Sequence, residues 1–252
     1  MESIFDMERP RFFDQYEFDI RCEWGEVGLR HILTDSDAAV IVDVLSFSTC
    51  VDIAVSNGAM VYPYRWRDDS AVAYAQSLGA LLAAGRRQAT AGYSLSPASL
   101  LRIPSGTRLV LPSPNGATLS VATGGLPAFA GCLCNARAVA RVLQHLGRRI
   151  SVVPAGERWH DASLRPALED LVGAGAIIRH LPGARSPEAA MAEAVFLHFA
   201  PHLSACLQQC SSGQELIGRG FARDVELAAA LDQSTCVPIL HGGAYVQFPG
   251  AT

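Results

Sequence analysis

The chain has 252 residues, half of them apolar, and a formal net charge of -4. These values are typical of a folded globular protein with a sizeable core, and they exclude a disordered or solvating chain. The basic residues are scattered singly, so no face predicts a nucleic-acid partner. The seven cysteines are an odd number, mostly within apolar patterns, as is typical of reduced core thiols.

The sequence also gives expectations about location and organisation. The segment Met1–Asp6 lacks the basic and apolar regions of a signal peptide. No uninterrupted apolar segment is long enough to predict a membrane span. We therefore expect a cytoplasmic protein without a membrane or nucleic-acid partner, folded as one compact unit over residues 1–252.

Strand-like and helix-like patterns alternate along most of the chain. Strands are predicted at Tyr16–Cys22, Ala39–Leu45, Met60–Tyr64, Ala80–Ala84, Arg108–Pro112, Ala128–Leu133, Ile150–Pro154 and Val237–Leu240. Helices are predicted at Phe47–Ser56, Ser70–Leu78, Ala117–Ala122, Ala136–Leu146 and Pro166–His180. This alternation predicts a layered α/β/α fold with a largely parallel or mixed sheet.

A predominantly helical block follows, at about residues 184–232. Its predicted helices are Ser186–Ala200, Leu203–Cys210 and Gly213–Leu231. Such a block can cap the sheet or form a subunit interface, so a homodimer is a possible assembly.

Polar residues collect where the apolar strands end. They are Asp43, Ser46, Ser48 and Thr49; the turn Ser113–Thr118; Asn135 and Arg137; and Gly156, Glu157 and Arg158. If the strands are parallel, their carboxyl ends share one edge of the sheet, where ligands bind in α/β proteins. The sequence therefore predicts one crevice lined by these residues.

Asp43 is the one carboxylate at the end of a fully apolar strand. An ionised carboxylate is costly in an apolar interior unless a cation or hydrogen-bond donors meet it. Asp43 is therefore either a metal or ligand carboxylate or a residue that holds the strand–helix turn.

The turn Ser113–Thr118 has the composition of an anion site. Asn115-Gly116 can adopt the positive φ of a tight turn and expose backbone N–H groups at a helix start. The alternative is an ordinary turn with a helix cap.

The segment Leu164–Leu171 opens a long helix. Pro166 suits the first helical turn, and Glu169 and Asp170 then lie where negative charge complements the helix dipole. Adjacent helical residues point about 100° apart, so at most one of the two is expected to face the crevice squarely. Arg165 suits phosphate or sulfonate oxygens, but an ion pair with Glu169 is equally natural.

Two cysteine patterns are weaker candidates for metal sites. His198, His202, Cys206 and Cys210 recur every four residues, but successive steps drift around the helix, and Pro201 interrupts the first interval. Cys132 and Cys134 share one face of a strand and lack the two-residue spacing of a zinc or redox pair.

An ordered set of short motifs resembles the 2-phosphosulfolactate phosphatases. The set comprises Val42-Asp43-Val44-Leu45, Asn57-Gly58-Ala59, Ser96-Pro97, Asn115-Gly116, Asn135-Ala136, Ala155-Gly156, Leu168-Glu169-Asp170 with Gly173-Ala174-Gly175, and Gly220-Phe221 with Asp224-Val225. The resemblance extends from about Ala39 to about Tyr245. It implies an α/β fold and a Mg²⁺-dependent acid phosphatase of coenzyme M biosynthesis, which releases phosphate from 2-phosphosulfolactate.

The resemblance also implies site residues, carried over onto Asp43, Asn115, Gly116, Asn135, Arg165, Glu169 and Asp170. Together with the crevice, it gives catalytic roles to Asp43, Glu169 and Arg165 and Mg²⁺ binding to Asp43, Glu169 and Asp170. Substrate binding falls to Ser46, Ser113, Asn115, Gly116, Thr118, Asn135 and Arg158. Carboxylates suit Mg²⁺, a hard cation, and the partner is a small anionic phosphate ester.

The chain departs from the family pattern in its anion-binding residues. Ser46 stands where the family typically has an arginine, Ala84-Gly85-Arg86-Arg87 replaces Ala-Gly-Glu-Arg, Ser94-Leu95-Ser96-Pro97 replaces Gly-Asn-Ser-Pro, and the stretch from Gly156 to Arg165 is longer. Arg86 or Arg158 is a candidate to restore the positive charge. The alternative function is a non-catalytic anion-binding or regulatory relative that kept the fold.

Overall fold

The computed structural model describes residues 11–86 and 92–250. Its strands are β1 (Ile20–Cys22), β2 (Ala38–Val42), β3 (Met60–Tyr64), β4 (Leu81–Leu82), β5 (Arg108–Pro112), β6 (Ala128–Gly131), β7 (Ile150–Pro154), β8 (Glu157–Arg158), β9 (Leu164–Arg165), β10 (Pro238–His241) and β11 (Ala244–Gln247). Its α-helices are α1 (Gly25–Ile32), α2 (Phe47–Ser56), α3 (Asp69–Leu78), α4 (Pro97–Leu100), α5 (Gly116–Ala122), α6 (Ala136–Leu146), α7 (Leu168–Ile178), α8 (Pro187–Phe199), α9 (Leu203–Gln209), α10 (Ser211–Gly218) and α11 (Ala222–Ala228).

Within the described residues, nine strands form one mixed sheet in the order β1-β7-β2-β6-β10-β11-β3-β5-β4. The group β1-β7-β2-β6 is parallel, and so is the group β3-β5-β4. Three antiparallel pairings through β10 and β11 separate the two groups, so the groups run in opposite directions.

Strand β2 is buried on both faces, as expected of a central strand in a layered fold. Val40 and Val42 belong to the large apolar cluster that includes side chains of α6, α7 and α8. Ile41 points the other way and packs with Leu29 of α1 and Leu119 of α5. This alternation places helices on both sides of the sheet and confirms the layered α/β architecture.

The two parallel groups correct one step of the sequence argument. The polar junctions are expected to share an edge if their strands are parallel, but β5 runs opposite to β2. The sheet twists by about 20° between neighbouring strands, which accumulates to roughly 100° over the five pairings from β2 to β5. The junctions after β2 and β5 nevertheless meet: the Gly116 nitrogen lies 2.8 Å from Asp43 Oδ2.

Several element boundaries also differ from prediction. The strand predicted from Tyr16 begins at Ile20, and the helix predicted at 213–231 is two helices, broken at Gly220 with φ +87°. Pro166 lies outside α7, which begins at Leu168. Strand β11, helix α1 and the hairpin β8–β9 were not predicted. Arg87 and the segment Met1–Asp6 lie outside the described residues.

The C-terminal helical block forms as predicted, but it corrects one expectation about apolar segments. The stretch Pro187–Gln209 has the length and composition of a helix that could cross a membrane, and 28% of its most apolar 18 residues are buried. Its buried side chains Ala189, Ala192 and Phe196 join the large core cluster, and a 3₁₀ turn at Ala200–His202 separates α8 from α9. Core helices of other folded proteins can have the same length and composition, so this stretch is weak support for a membrane span.

Candidate active site

Asp43 follows β2, and its side chain both binds backbone N–H groups and lines a cavity. Its Oδ1 accepts a hydrogen bond from the Phe47 N–H at 3.1 Å, and its Oδ2 accepts one from the Gly116 N–H at 2.8 Å. The side chain also lines a cavity of about 200 Å³, here called the Asp43 cavity. The other polar side chains of its lining are Ser46, Arg86, Ser113, Asn115, Glu157, Ser212, Glu215 and Arg219. Asp43 therefore holds the strand–helix turn and faces a ligand-sized space.

Burial and neighbouring carboxylates raise the pKa of three acidic residues in this region. Burial raises the pKa of Asp43, and the charge of Glu169 raises it further, against the lowering effect of two backbone N–H groups and Arg86. Burial and the charges of Asp43 and Glu169 raise the pKa of Asp170 well above its usual value. Burial and the charge of Asp43 raise the pKa of Glu157 to about 7. The structure thus brings Asp43, Glu169 and Asp170 together and adds Glu157.

Asp170 in the first turn of α7 ties two strand ends together. Its Oδ1 accepts from the Val44 N–H at 2.8 Å after β2, and its Oδ2 accepts from the Gly156 N–H at 2.9 Å after β7. Both oxygens therefore already hold the backbone next to Asp43.

Glu169, one position earlier, is also buried but has a different environment. It raises the pKa of the Cys206 and Cys210 thiols after the larger effect of burial, so its carboxylate faces the C-terminal helices. No ion pair joins it to Arg165 within the described residues. The Arg165 guanidinium instead donates to Ser212 Oγ at 3.1 Å and lies 5.7 Å from the centroid of the Trp159 ring.

The turn Ser113–Thr118 differs from its predicted geometry. Asn115 has φ -104°, and Gly116 does not have a positive φ. Glycine is required at 116 for space, because a Cβ there would lie 2.5 Å from Phe47 Cδ1 and 2.8 Å from Asp43 Oδ2. Two of the turn's N–H groups bond within the protein: that of Gly116 donates to Asp43, and that of Asn115 donates to Ser113 Oγ at 3.3 Å.

Arg86 brings a guanidinium to the position where the chain carries Ser46. Its Nη2 donates to Ser46 Oγ at 2.5 Å, and its Nε lies 3.8 Å from Asp224 Oδ2. The guanidinium also lies 5.7 Å from the centroid of the Phe221 ring. Asp224 is anchored in turn by Ser96 Oγ at 2.7 Å and the Ala98 N–H at 3.0 Å. Three separate sequence motifs therefore converge on Arg86.

A second cavity of about 260 Å³, the Thr118 cavity, lies on the other side of Asn115 and Glu157. The Asn115 Nδ2 donates to Glu157 Oε2 at 2.9 Å, and this pair lines both cavities. Thr118 Oγ1 is buried with no hydrogen-bond partner among the described residues. Arg158 is exposed on the rim and donates to the Ala162 carbonyl at 3.1 Å.

Asn135 lies apart from both cavities. It is fully buried, its Oδ1 accepts from the Cys132 N–H at 2.9 Å, and its Nδ2 donates to the Ala130 carbonyl at 3.1 Å. These bonds shape the turn after β6.

Glu157, shortly after the end of β7, belongs to the predicted crevice, but sequence reasoning assigned it no binding or catalytic role. The α10 residues Ser212, Glu215 and Arg219 were not predicted as site residues. The α10 residues reach the Asp43 cavity only through the folding of the C-terminal block, which no local pattern indicates.

Fold and site together define an α/β protein with buried carboxylates and an arginine around one cavity, a combination suited to small anionic ligands. A family model described as 2-phosphosulpholactate phosphatase matches residues 29–243. The chain therefore belongs to the 2-phosphosulfolactate phosphatase family.

Individual relatives agree with this assignment. A probable 2-phosphosulfolactate phosphatase of Carboxydothermus hydrogenoformans is 32% identical over 82% of this chain and 87% of its own length. A protein of the same description from Prochlorococcus marinus strain MIT 9303 is 32% identical over 81% of this chain and 89% of its own length. The 2-phosphosulfolactate phosphatase of Methanothermobacter thermautotrophicus is 28% identical over 82% of this chain and 88% of its own length.

Proposed function

We propose that the chain is a Mg²⁺-dependent phosphatase that hydrolyses a small phosphorylated 2-hydroxy acid, most readily 2-phosphosulfolactate. Family membership and the activity for which its relatives are named support the reaction class. The observation that carries the proposal is the buried Asp43 carboxylate, which lines a cavity together with Arg86, Glu157 and Glu215.

The donor set fits Mg²⁺. Carboxylate oxygens are its preferred protein ligands, and a dication would offset the burial and the nearby negative charge that raise the pKa of Asp43 and Asp170. Mg²⁺ usually keeps several waters and takes one or two carboxylates plus substrate phosphate, so three converging carboxylates are not required. Asp43 and Glu169 are the proposed ligands, and Asp170 positions the loop that carries Asp43.

When bound, Mg²⁺ would offset the charge on the phosphoryl oxygens. Arg86, with Ser46, would hold an anionic group of the substrate, because a guanidinium binds phosphate, sulfonate or carboxylate oxygens through paired N–H donors. Ser113 and Asn115 would contribute neutral donors from the cavity wall. The proposal extends to coenzyme M biosynthesis and a cytoplasmic location, which the relatives' names do not state.

The assay follows phosphate release from 2-phosphosulfolactate and from other phosphorylated 2-hydroxy acids, with Mg²⁺ or with a chelator. We expect release that needs Mg²⁺ and falls strongly in Glu169→Gln. Activity on none of the esters would contradict the proposal.

The non-catalytic alternative has one structural observation in its favour. The N–H groups of Asn115 and Gly116 bond to Ser113 Oγ and Asp43, which leaves fewer donors for a transferred phosphoryl group. A protein of that kind would bind sulfolactate or phosphate in calorimetry and release no phosphate from any ester.

A further inference from the structure

A second cluster of possible metal ligands lies next to β6, away from the lining of both cavities. Oδ of Asp52 and the Sγ atoms of Cys132 and Cys134 all lie within 4.8 Å of one another. Among the described residues this is the one trio of aspartate, glutamate, histidine and cysteine with such spacing. All three residues are buried, with exposed fractions of 2%, 0% and 6% respectively.

The sequence could not predict this cluster, because its third member comes from another element. Cys132 and Cys134 are separated by one residue in the turn after β6, a spacing that disfavours a metal pair when only the two cysteines are considered. Asp52 lies on α2, and the packing of α2 against the sheet brings its carboxylate to the thiols.

Without a metal the cluster is held by neutral hydrogen bonds. Ser234 Oγ donates to Asp52 Oδ1 at 2.8 Å, the Cys132 thiol donates to Asn135 Oδ1 at 3.5 Å, and the Cys134 thiol donates to the Leu227 carbonyl at 3.3 Å. Within the described residues no basic side chain forms an ion pair with Asp52. Burial raises the pKa of Asp52 to about 7. A buried carboxylate in such a place lacks the positive charge that would stabilise its ionised form.

We propose that Asp52, Cys132 and Cys134 form a binding site for a thiophilic divalent cation of the Zn²⁺ class. Two sulfur donors and one carboxylate oxygen suit zinc, whereas thiolates disfavour Mg²⁺. Zinc is usually four-coordinate, and Asn135 Oδ1, which lies 3.5 Å from Cys132 Sγ, or a water would complete the set. Binding replaces two S–H bonds by two sulfur–metal bonds and releases both thiol protons to solvent.

Such a site would be distinct from the Asp43 cavity in ligands and in metal class. It would join α2, the turn after β6 and the segment around Ser234, three parts of the chain that are distant in sequence. The expected consequence is stabilisation of the folded protein by zinc, independent of catalysis.

The test uses the full-length, untagged protein, purified with a reductant and freed of metal, and titrated with CoCl₂. We expect one equivalent to give the intense near-ultraviolet absorption of cobalt–thiolate bonds, and ZnCl₂ to abolish it. Cys132→Ser, Cys134→Ser and Asp52→Asn should each weaken binding at least about tenfold, on the scale of losing a ligand or its supporting contact. Cys22→Ser, which removes a buried thiol of β1, and Asp43→Asn should leave the cobalt spectrum unchanged.

A second measurement keeps the proposal testable if a ligand variant fails to fold. X-ray absorption of the wild-type zinc protein should show two sulfur neighbours at about 2.3 Å together with oxygen or nitrogen neighbours. A zinc environment without sulfur, no binding of either metal, or equal spectra in the wild type and in folded Cys132→Ser and Cys134→Ser would overturn the proposal. None of these results depends on phosphatase activity.

Discussion

Asp43 shows how one residue can combine structural and chemical roles. Its two oxygens accept the N–H groups of Phe47 and Gly116, which fixes the carboxylate before any ligand arrives. Oδ2 also accepts from Ser113 Oγ at 3.5 Å, so the further lone pair for a cation is on Oδ1. The carboxylate is therefore preorganised, and its position relative to the cavity depends little on side-chain freedom.

Asp43→Asn tests the chemical role of the Asp43 carboxylate. The amide keeps the size of the side chain but loses the charge, so we expect kcat to fall at least about 100-fold, as when one preorganised polar group is removed from an active site. Asp69→Asn, at an exposed aspartate that begins α3, is the matched control and should leave kcat unchanged. Equal kcat in both variants would remove Asp43 from the mechanism.

Arg86→Gln tests the anion-binding role proposed for Arg86. A hydrogen bond to a charged group contributes about 1.5–3 kcal/mol, so KM for 2-phosphosulfolactate should rise roughly 10- to 100-fold. Phenyl phosphate, which lacks the second anionic group, should show a smaller change, and Arg86→Lys should recover part of the loss. Arg102→Gln, at an exposed arginine, is the control. Equal losses on both substrates would indicate a purely structural role.

The residue scale also shows what the sequence can predict. Asp43 stood out as a charged residue at the end of an apolar strand, and Glu169 and Asp170 by their place at a helix start and by the family resemblance. The structure brings the three close together. Glu157 was placed in the same crevice by its position after a strand, whereas Ser212 was missed because its proximity to Asp43 arises from tertiary packing. The importance of Gly116 was recognised, but its reason is the approach of Phe47 and Asp43 and not a positive φ.

At the scale of elements, the helix α7 depends on small residues for its position. A Cβ on Gly173 would lie 2.6 Å from Val44 Cγ2, and one on Gly175 would lie 2.0 Å from the Ala192 carbonyl oxygen of α8. These glycines let α7 approach the end of β2 on one side and α8 on the other. The approach places Asp170 where it can accept the Val44 N–H.

Gly175→Ala should therefore destabilise the protein. The added methyl group meets a backbone atom that cannot move alone, so we expect a loss of about 1–3 kcal/mol in the free energy of unfolding, measured in urea. Gly218→Ala is the control, since a Cβ there meets nothing within 4 Å, and it should stabilise α10 by up to about 1 kcal/mol. A Gly175→Ala variant as stable as the wild type would contradict the close packing of α7 and α8.

The elements that the sequence predicted best are those with one strong local signal. Phe47–Ser56 and Ala136–Leu146 have the predicted bounds, and so do the apolar strands β3, β5 and β7. The antiparallel pairings of β10 and β11 were not predicted, because strand direction depends on partners that are distant in sequence. The break at Gly220 was missed because the apolar pattern continues on both sides of it.

At the scale of the whole molecule, the C-terminal block contributes α10 to the wall of the Asp43 cavity. This block is predicted to cap the sheet or to form a subunit interface. Its buried side chains pack in the same core cluster as strand side chains of the sheet, which supports the first role. The homodimer, the single-unit organisation of residues 1–252 and the absence of a membrane partner stay predictions.

Mg²⁺ should stabilise the whole fold if it binds the carboxylates around Asp43. A ligand at 100 times its dissociation constant adds about 2.7 kcal/mol to the free energy of unfolding. We therefore expect Mg²⁺ to raise Tm of the wild type by several degrees in differential scanning calorimetry. The shift should be much smaller in Asp43→Asn and unchanged in Asp69→Asn. A shift of the same size in all three proteins would place the cation elsewhere.

The most direct measurement is a crystal structure of the protein with Mg²⁺ and sulfolactate or phosphate bound. We predict an ion on the Asp43 carboxylate and an anion in the Asp43 cavity, in contact with Arg86 and Ser46. An ion and anion bound at a different place on the molecule, with the Asp43 cavity free of both, would contradict the account.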